Sequence, residues 1–280
     1  MSMQHRRLAK RIVFYGFVTV FILSMLLPFI WLLLGSFKTK RELFTTPVQV
    51  LPSSISLENY SAVFQAQPFG QYIINSVIIA LSVTLAIIVI AIMASYAISR
   101  VQIKGKRFVL LALLSITLLP PVTLLNPIYM LLSTFHMLNT HYGLTIALIV
   151  IELPTAVWFL NSFFSSIPLE MEESAMIDGC NILQLFTRIL IPLIAPGVFT
   201  ISILAFINAW NNYLFASVFN PLPKARTVTV ALTLIRVDQY ATPWDLISAA
   251  AVIVTAPLIL VVLLLQKKII SGLMDGGIKG

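Results

Sequence analysis

Charge is what this 280-residue sequence has least of: only 10% of its residues are Asp, Glu, Lys or Arg, against about 25% in an average soluble domain. So few polar groups cannot coat a water-soluble globule of this length. Cysteine is nearly absent too. The single Cys180 excludes an intramolecular disulfide and any multi-cysteine metal site. His5, His136 and His141 are too few and too separated for a metal cluster, and the last two flank a turn where solvation is expected. No G-x-x-x-x-G-K-[ST] loop occurs, so no backbone amides and lysine are assembled to cradle nucleotide phosphates. Neither a Ser/His/Asp set nor a carboxylate pair can be placed in one site. An enzyme, a cofactor and a metal are therefore not expected. The net charge of +8 raises the question of nucleic acid, but no basic stretch is interleaved with stacking aromatics, and none is expected to bind.

What is abundant is apolar sequence, 59% of the chain. Six runs are long enough, at about 20 residues, to cross a hydrocarbon core as helices: 12–36, 73–98, 108–133, 143–164, 193–219 and 247–266. Backbone groups in lipid need internal partners, and no run shows the period-two alternation of a barrel strand. The expected class is all-α, a polytopic membrane protein of six transmembrane helices. Arg6, Arg7, Lys10 and Arg11 precede a first run that is uncharged from Ile12 to Phe37. That is longer than a secretory signal core, so it reads as a retained span. Lys and Arg mark cytoplasmic loops. With both termini cytoplasmic, twelve of the 18 basic residues fall inside and six outside. Lys38, Lys40 and Arg41, close to the first span, argue the other way, whereas loop 134–142, without Lys or Arg, supports the assignment.

The loop between the fourth and fifth spans, 167–192, carries more apolar surface than a connection needs. Pro168 suits the first turn of a helix. Glu170, Glu172 and Glu173 then lie near its positive end. Gly179 can adopt the left-handed conformation that ends it. Asn181 with Gln184 forms a capping-box pattern for a second helix, whose Ile182, Leu185, Phe186 and Ile189 share a face. Pro192 is expected to stop that helix. An interfacial helix on lipid is one reading. With Glu170, Glu172, Glu173 and Asp178 against Arg188 alone, anionic headgroups would repel the loop, and a protein partner accounts for its apolar and acidic surface together.

The spacing Glu173-Ser174-Ala175, three residues, Gly179, nine residues, Ile189-Leu190-Ile191-Pro192 resembles the E-A-A-x3-G-x9-I-x-L-P loop of binding-protein-dependent ABC importer permeases. Ser174 replaces the usual alanine and Ile191 the leucine. The sugar-type branch is further matched by Asn75-Ser76, Tyr96-Ala97-Ile98-Ser99-Arg100, Asn139-Thr140 with Gly143-Leu144, and the tail Gly276-Gly277-Ile278-Lys279-Gly280. The resemblance, covering about 71 to 280, implies a type I ABC importer permease fold in the cell membrane of a bacterium or archaeon. It implies as partners a second, different permease chain, two ATP-binding subunits that perform the hydrolysis, an extracytoplasmic solute-binding protein, and lipid. Solute would cross by alternating access, with a sugar as the expected cargo and a glycerol phosphate or polyamine as the alternative. Glu173, Ser174, Ala175, Asp178, Gly179, Ile189 and Pro192 are the positions implied to couple to the ATPase, and the tail from Leu273 to Gly280 would also reach it.

The resemblance divides the chain into 1–70, with the first helix and an extracytoplasmic loop; a transporter domain over 71–270; and a tail over 271–280. In the fifth span Asn208, Asn211 and Asn212 stand at i, i+3 and i+4, on one helical face. They face either solute hydroxyls or neighbouring helices, where intramembrane amides serve as glue. Glu152, beside Pro154, is the only charge within a span, with a functional role and a paired structural one both open. Pro120, Pro121 and Pro127 should bend the third span. Loops 38–72 and 220–246 are expected to form the outer surface. A stand-alone secondary transporter would need its own coupling-ion site, for which Glu152 alone offers little.

Overall fold

The computed structural model describes residues 3–102, 104–235 and 243–277, with side chains described between Lys10 and Leu265. Among the described residues there are helices and no strand. In order they are α1 (Met3–Ser36), α2 (Lys40–Leu43), α3 (Glu58–Ala66), α4 (Phe69–Arg100), α5 (Lys106–Thr117), α6 (Pro121–Thr134), α7 (His141–Ser166), α8 (Leu169–Ile177) and α9 (Ile182–Leu185). A π-helical turn (Phe186–Leu190) follows, then α10 (Ile191–Asn211), α11 (Leu214–Phe219), α12 (Val228–Thr233) and α13 (Trp244–Gly277). Five helices are long and apolar enough to span a membrane, and α5 with α6 makes a sixth, broken span. The described residues are all-α, and the six expected spans fall on these five helices and the bent pair.

The broken span departs from the single helix expected over 108–133. Its halves meet at 98°. Pro120 and Pro121 supply no N–H to the preceding turn, and the residue before a proline is driven out of the α region. Pro120 is itself extended, with ψ of 128°, and Pro121 opens α6. Pro127, by contrast, sits inside α6 without ending it.

The chain packs as two units. The first comprises residues 1–69 and 234–256. Here α1 exposes apolar side chains all round, as a helix facing lipid or another chain does. Its C-terminal end is tightly satisfied. Asn59 donates to the Ser36 and Lys38 carbonyls at 2.9 and 2.8 Å, and the Ser36 and Tyr60 hydroxyls pair at 2.7 Å. Lys38 is 2% exposed, with Nζ over the Trp31 ring at 5.1 Å and donating to the Gln49 carbonyl. Its charge is thus met by local partners. Thr39 and Glu42 form a capping box on α2. Glu42 also accepts from the Ser53 amide. Bonds from Ser53 and Thr39 hold the Glu42 carboxyl down at about 2.

The second unit comprises 70–233 and 257–280. Ile79, Val83, Ile87 and Ala91 of α4, four residues apart, are fully buried. α7 packs against α5, α10 and α11. It contributes Leu144, Leu148, Leu160 and Phe164 to the core. Gly197 of α10 lets the helices approach, since a Cβ there would lie 2.8–2.9 Å from three atoms of the Phe163 ring. Ser95 of α4 donates to the Val157 carbonyl at 2.9 Å. At one end, Asn75 donates to the Lys224 and Arg226 carbonyls and its Oδ1 pairs with His141 Nε2 at 2.8 Å. His141 is therefore partnered, whereas the expected solvation holds for His136. Ser76 accepts from the Val228 amide, Thr140 caps α7, and Asn139 accepts from the Leu222 amide. Gly143 admits no side chain, because a Cβ would lie 2.1 Å from the Met137 carbonyl oxygen.

Candidate functional site: an exposed helix and a membrane cavity

α8 is a two-and-a-half-turn helix set off from α7 by the extended residues Ile167 and Pro168. Pro168 stands at the cap rather than in the first turn, with ψ of 139°. The helix closes with a Schellman motif: Gly179, at φ +85°, donates to the Met176 carbonyl at 3.1 Å, and Cys180 donates to that of Ala175 at 3.0 Å. Asn181 and Gln184 form the expected reciprocal capping box on α9. The role expected for Pro192 does not survive. The π turn, in which the Ile191 N–H reaches the Phe186 carbonyl, runs straight into α10 with Pro192 in its first turn. Widening the helix relieves the clash that a proline ring makes with the carbonyl four residues back, so the helix continues rather than stops.

Two faces of α8 differ. Ala175 is buried with Phe163, Phe164, Ile167, Leu185, Leu190 and Ile194, and Ile189 packs against this cluster. Glu172, three residues before Ala175, also points inward. Glu173, Ser174, Asp178 and Gly179 are exposed, with the Ser174 hydroxyl donating to the Glu170 carbonyl at 2.7 Å. So are Leu169, Met171, Met176 and Ile177, the last 85% exposed. Apolar and acidic side chains thus share the free surface. The anchor of this helix was missed in the sequence. Arg100, at the end of α4, pairs through Nε with Glu172 Oε1 and donates from Nη2 to the Ile167 carbonyl at 2.9 Å. The available signal was Tyr96 and Arg100 at i and i+4 within a motif whose function spacing alone does not disclose. The tail from Leu273 to Gly280 lies outside the residues whose side chains are described.

The second feature is a cavity of about 290 Å³ lined by α4, α5, α6, α7 and α10. Apolar walls from Ile87, Leu119, Pro121 and Leu204 surround four polar residues: Thr117, Glu152, Thr155 and Asn208. The break in the third span opens onto it, since Thr117, Leu119 and Pro121 all line it. Asn208 and Glu152, distant in sequence, are thereby brought to one space. The other two amides are not. α10 ends at Asn211, which is exposed, and Asn212 leaves the helix with ψ of 106°. Its side chain accepts from the Phe215 amide, in the first turn of α11, at 3.1 Å, and its carbonyl accepts from Thr229. The expected three-amide face therefore reduces, inside the cavity, to Asn208. Among the described residues no group of His, Cys, Asp and Glu is arranged to hold a metal.

Residues 100–274 match the family described as binding-protein-dependent transport system inner membrane component. The chain belongs to this family. It is a multi-pass inner-membrane permease component of an ABC importer, a transport subunit rather than an enzyme. Relatives include the sulfoquinovosyl glycerol transport system permease SmoH of Agrobacterium fabrum, 37% identical over 94% of this chain and 92% of that one. The trehalose/maltose permease MalG of Thermococcus litoralis is 35% identical, covering 97% and 98%. The trehalose permease SugB of Mycobacterium tuberculosis is 33% identical, covering 97% and 99%. In fold, the chain matches a solved chain of a bacterial ABC transporter that imports the acidic polysaccharide alginate, with TM-score 0.82, 22% identity, and 95% and 98% coverage.

Proposed function

We propose that this chain is one of two permease subunits of a sugar importer, carrying sugars or oligosaccharides across the membrane by alternating access. The names of the three relatives given above specify trehalose, maltose or a sulfoquinovosyl glycerol as cargo. α8 seats on an ATP-binding subunit, two of which dock on the permease pair, and a solute-binding protein delivers cargo from the opposite side. Both termini lie in the cytoplasm, with α8 on the same face. Closure of the ATPase pair moves α8, and the permease halves rock between inward-open and outward-open states, a coupling between distinct sites. The cavity at Glu152 and Asn208 lies on the solute path, its amide, carboxylate and hydroxyls suiting sugar hydroxyls and its apolar walls the ring faces.

The observation that carries this reading is α8 itself: a capped helix, anchored by Glu172 and Ala175, that presents Met171, Met176 and Ile177 alongside Glu173 with no cover from the described residues of its own chain. A photo-crosslinking amino acid at Met176, in the complete complex in membranes, tests it. The expected adduct is to the ATP-binding subunit. Adducts to lipid alone would assign α8 to the membrane surface instead.

A further inference from the structure

We propose that Arg100, Glu172 and Tyr96 form a joint that makes α4 move with α8, giving the motion of the exposed helix a second route to the cavity besides the backbone. The inference rests on the docking role of α8. The backbone route is weak. α8 is joined to α7 by Ile167 and Pro168, both extended, and Pro168 supplies no N–H to continue α7. Two extended residues between helices make a hinge, about which α8 can swing unless side chains prevent it.

Those side chains are present. The Arg100 and Glu172 side chains are 12% and 3% exposed, and they pair with each other at the end of α4. The guanidinium uses a second nitrogen to donate to the Ile167 carbonyl at 2.9 Å, so one rigid planar group holds both α8 and the hinge. The Tyr96 hydroxyl, one turn earlier on α4, reaches Glu172 Oε2 at 3.5 Å. Its ring meets Phe164 of α7 edge-on at 5.8 Å and Phe186 of the π turn at 4.6 Å. Four elements are thus pinned at one point. From there α4 runs unbroken to Ile87, a wall of the cavity. Thirteen residues of helix span about 20 Å. A displacement of α8 that carries Arg100 with it also displaces that wall.

A buried ion pair is weak evidence for stability, since apolar replacements often serve as well. The joint is therefore a positioning device, and its test must separate positioning from folding. The variants are Glu172→Gln, Arg100→Gln and the exchange Arg100→Glu with Glu172→Arg, each reconstituted with its partner subunits in proteoliposomes. Solute uptake and ATP hydrolysis are measured on the same preparation, and the crosslink from position 176 is scored. With the crosslink kept, either single variant is expected to raise the ATP consumed per solute at least tenfold, because hydrolysis continues while the cavity wall no longer follows. The exchange is expected to recover part of the uptake, short of wild type because the Ile167 carbonyl loses its guanidinium. An unchanged ratio, uptake and hydrolysis falling in proportion, or an exchange no better than the singles would each overturn the joint. Loss of the crosslink in the unsubstituted complex would instead remove the docking reading on which the joint depends.

Discussion

Gly179 ends α8 at φ +85°, and a Cβ built on it meets nothing within 4 Å. Substitution by Ala there tests backbone strain free of crowding among the described residues. An L-residue in the left-handed region costs about 1–2 kcal/mol. The turn it strains is held by two hydrogen bonds, from Gly179 and Cys180 to the Met176 and Ala175 carbonyls, together contributing about 2 kcal/mol net. The two quantities are comparable, so Gly179→Ala leaves the turn marginal rather than abolished. Asn tolerates the left-handed region better than most residues. Uptake by reconstituted complexes is expected to fall about five- to thirtyfold with Gly179→Ala, from about 1–2 kcal/mol of strain at about 1.4 kcal/mol per factor of ten, and less with Gly179→Asn. Gly179→Leu adds a side chain that only a docked partner would meet. Uptake well below that of Gly179→Ala would therefore report the partner, with membrane insertion preserved in all three. Wild-type uptake by Gly179→Ala, or Gly179→Asn no better than Gly179→Ala, would refute the strain argument.

Glu173→Ala removes one exposed polar contact while keeping the helix, so it should lower uptake more mildly than Gly179→Leu in the same assay. Cys180, half-exposed and the sole thiol, should escape a membrane-impermeant maleimide in intact cells and react after permeabilisation, and labelling from outside would invert the proposed topology. Gly197→Ala should destabilise the detergent-solubilised protein by about 1 kcal/mol, since overpacking against the Phe163 ring outweighs the helix-propensity gain; Phe163→Leu should recover the loss, read as a shift in thermal unfolding. Glu42, with its carboxyl held at about 2, has a folded value below its unfolded one near 4.3. Its contribution to the order of the 39–53 collar is present above the unfolded value and is lost as pH falls through about 2. Protection of that loop, taken as exchange relative to the intrinsic rate at each pH, should therefore stay high from neutral pH to below 4 in the native protein and be low throughout in Glu42→Gln.

Local signals read from the sequence reappear where their physics is local. Gly179 takes the positive φ expected of it, and Asn181 with Gln184 makes the reciprocal cap, because each depends on a few neighbouring residues. The readings that failed depended on what lay further off. Pro192 was expected to stop a helix, but a π turn absorbs it, and nothing in the ten residues around it announces that widening. Counting residues places Asn212 on a helical face, yet its side chain accepts from an amide in the first turn of the next helix, a competing local use of the group. The same competition explains Asn75, Ser76 and Asn139, whose side chains hold loop 219–228 in place.

Long-range pairs were illegible for a different reason. Arg100 and Glu172 are 72 residues apart, and Glu152 and Asn208 reach one cavity only because α7 and α10 pack together. A membrane protein makes such pairs easier to suspect than a soluble one, since a charge within or beside a span seldom goes unmatched. Arg100 closes an apolar helix of 32 residues, a place where a basic residue is readily taken as a topology signal alone. The topology signal and the pairing are compatible, because a residue held at the membrane surface by its charge is also in position to grip a helix lying outside the bilayer. On the proposed function, where α8 is anchored matters to transport as much as what α8 touches. On the proposed docking of α8, the same reasoning puts Glu172 at the point where the motion of the exposed helix enters the membrane, with the exposed Glu173 left to face the partner.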